Sequence, residues 1–346
     1  MEPSTEGDPI ALYLVTGGAG FIGSHVVDEI VARGHRVRVL DDFFSGRIEN
    51  LEDAVAATGG PVRPSQQQRE AARLQIVEGD IRDRTTCDDA CRGVDKVIHL
   101  AAVPSVPRSI ADPFTTNAVN VTGTLNVLVA ARDAGVGRVV CISSSSVYGD
   151  EPGIPKVETM MTRPIAPYAV SKLACEHYAR SVFRVYGLET VSIRYFNVFG
   201  PRQDPKSEYA AVIPKFIMAL LAGESPTVFG DGENSRDFTY VKNAVEGTLL
   251  AADVPASGLT GEGIAGEAFN IACGGRYTLN QLLTELAEVT GVDTPATYLP
   301  DRKGDIPHSQ ADVQKARRLL GFEPSVGFTE GIAQTVAWYR EKVAKG

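Results

Sequence analysis

Apolar residues fall into two alternating patterns along the first half of the chain. Short, nearly unbroken runs at 11–16, 36–40, 74–78, 96–100, 138–142 and 190–195 read as strands. Between them, apolar positions recur every three or four residues, as at Ile22, Val26, Val27, Ile30 and Val31. This spacing predicts helices over 22–33, 83–92, 114–134 and 167–186. Strand–helix alternation of this kind indicates βαβ units around a parallel sheet. After about residue 196 the alternation loosens and prolines punctuate it. Helices are expected near 208–222, 242–252, 278–290, 312–320 and 328–343, with short strands between them. The expectation is an α/β protein: a doubly wound parallel sheet over 11–195 and a smaller mixed α/β region over 196–346, some of whose elements return to the sheet. Residues 1–10 read as a loose polar tail. The breaker-rich stretch 58–70 reads as a surface loop or insert.

The first run ends in Gly17-Gly18-Ala19-Gly20-Phe21-Ile22-Gly23, and the first helix begins at once. Gly18, Gly20 and Gly23 fit G-x-G-x-x-G, and Gly17, Gly20 and Gly23 fit the looser G-x-x-G-x-x-G. Side chains at such a turn would keep a pyrophosphate away from the helix N-terminus, whose free N–H groups and positive dipole end attract it. With Phe21 and Ile22 opening the helix and a second strand following, the context is that of a dinucleotide site. Asp41, at the tip of that second strand, suits the two ribose hydroxyls of NAD and would repel the extra phosphate of NADP. NAD is therefore the expected cofactor of a Rossmann-type fold.

Composition narrows the picture without redirecting it. The 346 residues are 43% apolar and 22% charged, enough for one large or two modest domains. A net charge of −9 gives no general drive toward nucleic acid or acidic lipid. No run is long enough to span a membrane, and the polar start does not resemble a signal peptide. The five cysteines are scattered, which argues against a disulfide framework and for a reducing cytoplasm. Cys87 and Cys91 lack a second pair or a nearby histidine, so no metal is expected.

Tyr168 and Lys172 form Tyr-x-x-x-Lys on a predicted helix, so both side chains share one face. A phenol is a poor base at neutral pH unless a nearby cation stabilises the phenolate, which a lysine ammonium one turn away does. Upstream, an apolar strand ends in Ser143-Ser144-Ser145-Ser146, a row of hydroxyls where a reacting sugar oxygen could lie.

With these pieces in this order, the chain resembles the extended short-chain dehydrogenase/reductases of the nucleotide-sugar epimerase/dehydratase family. The resemblance rests on Thr16 through Gly23, Asp41-Asp42, Gly79 through Asp83, His99-Leu100-Ala101-Ala102 and Asn120 through Thr124. It continues in Ser143-Ser144, Tyr148-Gly149, Tyr168 through Lys172 and Arg194 through Pro201, and so covers nearly the whole chain. It implies that Asp80 and Ile81 frame the adenine, that Leu100, Ala101 and Ala102 line the cofactor cleft, and that Asn120 supports the nicotinamide half. It makes Ser144 the hydrogen-bonding partner of the sugar 4-oxygen, Tyr168 the base and Lys172 its tuner. Asn197 would contact the nucleotide-sugar phosphate, and Arg236 and Arg302 would clamp the diphosphate, a task suited to bidentate guanidinium groups. A homodimer through the 114–134 and 167–186 helices, paired as a four-helix bundle, is also implied.

The shared first step of such enzymes removes hydride from C4 of the sugar. Dehydratases of the family carry Asp-Glu directly after the active-site Ser/Thr, where this chain has Ser145 and Ser146. Decarboxylases carry a glutamate at the position of Ser146. Oxidation without elimination machinery leaves 4-epimerisation. The segment Ser105 through Ser109, including Arg108, and the stretch after Gly200 resemble the subgroup acting on UDP-N-acetylhexosamines. Ser309 stands where glucose/galactose-restricted relatives often have a tyrosine, leaving room beside C2. The expected substrates are UDP-GlcNAc and UDP-GalNAc alongside UDP-glucose and UDP-galactose. A UDP-glucuronate 4-epimerase, a nucleotide-sugar dehydrogenase or reductase that releases its cofactor, and a non-enzymatic NAD-sensing module are the competing readings.

Overall fold

The structure is a computed structural model that describes residues 9–59, 72–205, 211–300 and 307–345. Most of the expected tail, most of the 58–70 insert and Arg302 lie outside the described residues.

Seven strands form the central sheet: β1 (Leu12–Thr16), β2 (Arg36–Asp41), β3 (Leu74–Glu78), β4 (Lys96–His99), β5 (Arg138–Ser144), β6 (Glu189–Tyr195) and β7 (Glu267–Ile271). Their order is β3-β2-β1-β4-β5-β6-β7, and every neighbouring pair is parallel. The near-continuous apolar strands follow from burial on both faces. Side chains alternate across a strand, so Leu12 and Leu14 enter one core while Tyr13 and Val15 enter the other. Helices α1 (Phe21–Ala32) and α5 (Val241–Asp253) pack with Tyr13 and Val15, through residues such as Val26, Ile30, Val245 and Leu249. Helices α2 (Arg84–Cys91), α3 (Thr124–Asp133) and α4 (Pro167–Tyr186) cover the other face.

The single helix expected over 114–134 is a composite. Pro113–Asn117 leads into a π-helical turn, Ala118–Gly123, and then into α3. Gly123 lies hard against Ile81, where a Cβ would come within 2.6 Å of its Cδ1. The wide turn brings Asn120 to the strand ends, a location where such bulges mark functional sites. Strand β7 comes from the loosened C-terminal region yet pairs with β6 from Glu267↔Val191 to Ile271↔Tyr195. The remaining small strands pair two by two within the C-terminal region. In it Ser235–Arg236 pairs with Tyr277–Thr278. Phe199, Phe238, Tyr240, Tyr277 and Phe328 form its aromatic core. No described helix is long and apolar enough to cross a membrane.

Candidate active site

The glycine turn, Asp41, Leu100–Ala102, Ser144 and Asn197 lie at or just after the C-terminal ends of β1, β2, β4, β5 and β6. The strand order reverses between β1 and β4, the switch point where open α/β sheets bind ligands. The glycines there do different jobs. Gly17 has φ +69°, and a Cβ on it would sit 2.7 Å from the Ala101 nitrogen. Gly23 lets α1 cross the turn, because its Cβ would lie 2.1 Å from the Gly17 carbonyl oxygen. Gly20 has ordinary angles (φ −74°, ψ 177°), and its Cβ would meet only the Gly17 oxygen, at 3.2 Å. The protein's own packing requires Gly17 and Gly23 to be glycine. At Gly20 the constraint is weaker, one tight contact with a carbonyl oxygen, so a close approach of ligand to backbone is a further reason for glycine there. Gly20 is also the N-cap of α1 and offers no side chain to its first-turn N–H groups at Phe21 and Ile22.

Asp41 ends β2 with a buried carboxylate that accepts the Ala19 amide at 2.9 Å and the Phe43 amide at 2.9 Å. Burial raises its pKa, and the two amides oppose the rise. Leu100, Ala101 and Ala102 continue from β4 beside Gly17, with the Leu100 amide on the Thr16 carbonyl at 3.1 Å. Below them His99 bridges Thr16 Oγ1 (2.7 Å) and Thr124 Oγ1 (2.9 Å), and burial lowers its pKa to about 3. Asp80 is engaged by the Arg82 guanidinium, which lowers its pKa, while Ile81 is packed into the core. These residues provide what an NAD-sized dinucleotide needs: an open glycine turn, a strand-tip carboxylate and an apolar wall after β4.

Lys172 and Tyr168 lie on α4, with the ammonium 6.0 Å from the phenol ring centroid. Lys172 Nζ donates to the Ile142 carbonyl at 2.8 Å, and so is seated two residues before Ser144 on β5. Ser144 caps the short 3-10 turn Ser145–Tyr148, accepting the Ser146 amide at 3.2 Å. The Tyr168 amide donates to Ser109 Oγ at 2.9 Å, which ties the start of α4 to the helix Val106–Ala111. Asn120 is buried and its amide group is fully occupied: Val103 N at 2.8 Å, Val103 O at 3.2 Å and Ser171 Oγ at 3.0 Å. It fixes the loop after β4 against α4 rather than presenting a free amide to the cleft.

In the C-terminal region, Arg236 donates to the carbonyls of Ser235 (2.9 Å) and Pro307 (3.1 Å). The Ser309 amide bonds the Ser235 carbonyl at 3.0 Å, so Ser309 and Arg236 are backbone neighbours despite their separation in sequence. Asn197 has φ +33°, and its side-chain nitrogen reaches the Asp237 carbonyl at 3.4 Å. Ser105 caps the Val106–Ala111 helix, and the Arg108 guanidinium lies 5.3 Å from the Phe44 ring centroid. Two residues not singled out from the sequence matter here. Asp237 is fully buried and accepts amides of Cys273 (3.2 Å), Gly274 (3.0 Å) and Ala311 (3.1 Å), holding two other loops next to Arg236; burial raises its pKa to about 7. Glu176, one turn beyond Lys172, accepts Ser143 Oγ at 2.5 Å and both arms of Arg194 at 2.9 and 2.7 Å. The i+4 spacing from Lys172 to Glu176 was the available signal.

The NAD dependent epimerase/dehydratase family model matches residues 13–272. The UDP-glucose 4-epimerase of Mycolicibacterium smegmatis is 40% identical over 331 residues, covering 95% of this chain and 98% of that protein. The solved UDP-N-acetylglucosamine 4-epimerase of Methanobrevibacter ruminantium, in complex with UDP-N-acetylmuramic acid, aligns with a TM-score of 0.86 and 38% identity, covering 97% and 100% of the two chains. The Thermus thermophilus UDP-glucose 4-epimerase complex with NAD aligns with a TM-score of 0.81 and 36% identity, covering 95% and 99%. With the family model matching residues 13–272 and relatives at this identity aligned over nearly their whole length, the chain belongs to the NAD-dependent epimerase/dehydratase family.

Proposed function

We propose that this enzyme interconverts the 4-epimers of UDP-sugars through a transient 4-keto sugar, accepting UDP-GlcNAc and UDP-GalNAc alongside UDP-glucose and UDP-galactose. The observation that carries the reading is the serine run. Ser144, Tyr168 and Lys172 supply the oxidation step, whereas Ser145 and Ser146 supply no acid or base for elimination or decarboxylation. Glu176, the carboxylate bonded to this run, is already committed to Ser143 and Arg194.

The glycine turn and Asp41 would hold NAD, which when bound would supply the two-electron oxidation at C4 and its reversal. Tyr168 takes the proton of the 4-hydroxyl as the carbonyl forms and returns it when the sugar is reduced from its other face. Lys172, fixed by the Ile142 carbonyl, holds its side-chain nitrogen 6.0 Å from the phenol ring centroid. Ser144 Oγ hydrogen-bonds the reacting oxygen. Arg236, and Arg302 from outside the described residues, would hold the diphosphate. The small side chain of Ser309, beside the Arg236 strand, leaves space for an acetamido group. The experiment is incubation with individual UDP-sugars without added cofactor, with products resolved by anion-exchange chromatography or NMR. Interconversion of 4-epimers supports the reading; a strict requirement for added NAD, with net oxidation, points to a dehydrogenase instead.

A homodimer belongs to the same proposal. Ile110 and Phe114 are exposed on one pair of helical turns, and Val170, Tyr178, Val185 and Tyr186 on α4. Half-exposed Ala118, Val121, Leu125 and Val129 extend the first stripe. Two adjacent apolar stripes of this size suit a four-helix interface between copies.

A further inference from the structure

A buried hydrogen-bonded chain runs from the catalytic helix to the sugar-pocket segment. It begins with two successive turns of α4 gripping two successive residues of β5. Lys172 holds the Ile142 carbonyl at 2.8 Å and Glu176 holds Ser143 Oγ at 2.5 Å, leaving Ser144 at the strand tip. Glu176 then takes a bidentate pair from Arg194 on β6, with side-chain exposures of only 9% and 6%. The third guanidinium nitrogen donates to the Tyr148 hydroxyl at 2.9 Å. Tyr148 follows the serine run and is buried; its hydroxyl donates to Asn270 Oδ1 on β7 at 2.7 Å. Asn270 Nδ2 closes the chain on the carbonyls of Lys156 (2.9 Å) and Asp312 (3.1 Å). Those carbonyls belong to a short bridge in which the Lys156 amide bonds Gln310 O at 2.8 Å and the Asp312 amide bonds Lys156 O at 2.9 Å, directly after Ser309.

We propose that Glu176, Arg194 and Tyr148 are positioning residues that hold the Ser309 segment at a fixed distance from Tyr168 and Ser144, so that the sugar presented by one wall meets the base on the other. The residues of the chain span five different elements, and none of the contacts is local in sequence. A buried ion pair costs desolvation and is a poor device for stability alone. A fully satisfied buried network instead specifies one arrangement of the parts it joins. Burial also pushes the Tyr148 phenol up to about 12, so it remains a donor throughout the working range.

The inference rests on the active-site reading above, and the test separates the two. Tyr148→Phe keeps the ring and removes only the hydroxyl link. Its expected effect is a fall in kcat of about tenfold or more, with KM for the UDP-sugar within about twofold, because misplacement by about 1 Å is costly to rate. Backbone amide exchange at Lys156 and Asp312 should accelerate by about tenfold while exchange in β5 is unchanged. Glu176→Gln, which keeps an acceptor for Ser143 and loses the charge facing Arg194, should lower kcat in the same way and is read alone if Tyr148→Phe does not fold. Val336→Ala, a buried truncation remote from the site, serves as the stability control. The proposal is overturned if kcat and exchange at 156 and 312 stay within about twofold of the wild type, or if kcat falls no further than in Val336→Ala. Wild-type inactivity on every UDP-sugar would sink the epimerase reading, and the exchange measurement would then decide the relay by itself.

Discussion

Gly20→Ala should leave the fold nearly untouched and damage cofactor binding, whereas Gly23→Ala should damage the fold. The structure sets the two magnitudes. At Gly20 the backbone angles suit alanine, and the new methyl meets one carbonyl oxygen at 3.2 Å. Losing a tolerable N-cap costs about 0.5–1 kcal/mol, and the lower entropy of the unfolded chain offsets about 0.4–1 kcal/mol. The net change in apo-protein stability is therefore within about 1 kcal/mol. The same methyl occupies the face a pyrophosphate would approach, and overpacking of about 2 kcal/mol there weakens NAD roughly 30-fold. At an NAD concentration about 100 times the wild-type Kd, stabilisation by the ligand should drop from roughly 2.7 to roughly 0.9 kcal/mol. For a chain this long that is a loss of about 2–3 °C in the NAD-dependent shift of Tm. At Gly23 the methyl would lie 2.1 Å from the Gly17 oxygen, so α1 must move off the turn. Its cost should appear in the apo-protein, at about 2 kcal/mol or more. The assay is thermal unfolding of NAD-stripped protein across an NAD titration, with isothermal titration calorimetry for Kd. The assignment of Gly20 to the ligand fails if Gly20→Ala binds NAD like the wild type, or if it loses as much apo stability as Gly23→Ala.

Tyr168→Phe should retain bound NAD and lose about 10²–10⁴-fold in kcat; near-normal turnover would remove Tyr168 from the mechanism. Ser309→Tyr should abolish turnover of the acetylated UDP-sugars and spare UDP-glucose and UDP-galactose, as competition assays on the four sugars would show. His99 is neutral in the fold down to about pH 3, while an unfolded histidine takes a proton near pH 6.5. Its contribution to stability is present above pH 6.5 and is lost as pH falls toward 3, so His99→Gln should flatten the pH dependence of the urea midpoint between pH 7 and 5. Sedimentation at micromolar concentration should show a dimer, and Val170→Glu with Tyr178→Glu should yield monomers; a monomeric wild type would refute the proposed interface.

The sequence alone determined the elements whose physics is local. Strands β1 through β6 are short apolar runs because both faces of the sheet are covered, and the helices between them carry one apolar stripe each. The glycine turn, Asp41 and the Tyr168–Lys172 pair were legible because each depends on spacing within a single element or one junction. Tertiary structure decided everything that required distant segments to meet. Strand β7 joins the sheet because the edge of β6 offers hydrogen-bonding groups that need partners, a demand that the short run at 267–271 does not announce. Gly123, the last residue of the π turn that carries Asn120, packs against Ile81 from the turn between β3 and α2, a meeting of distant segments. Asn120 itself, expected near the nicotinamide, is occupied by Val103 and Ser171, contacts that no local pattern encodes. Asp237 and Glu176 are acidic side chains of a kind that composition would place on the surface. Only the packed fold supplies the backbone amides for one and the Arg194 fork for the other that make their burial affordable.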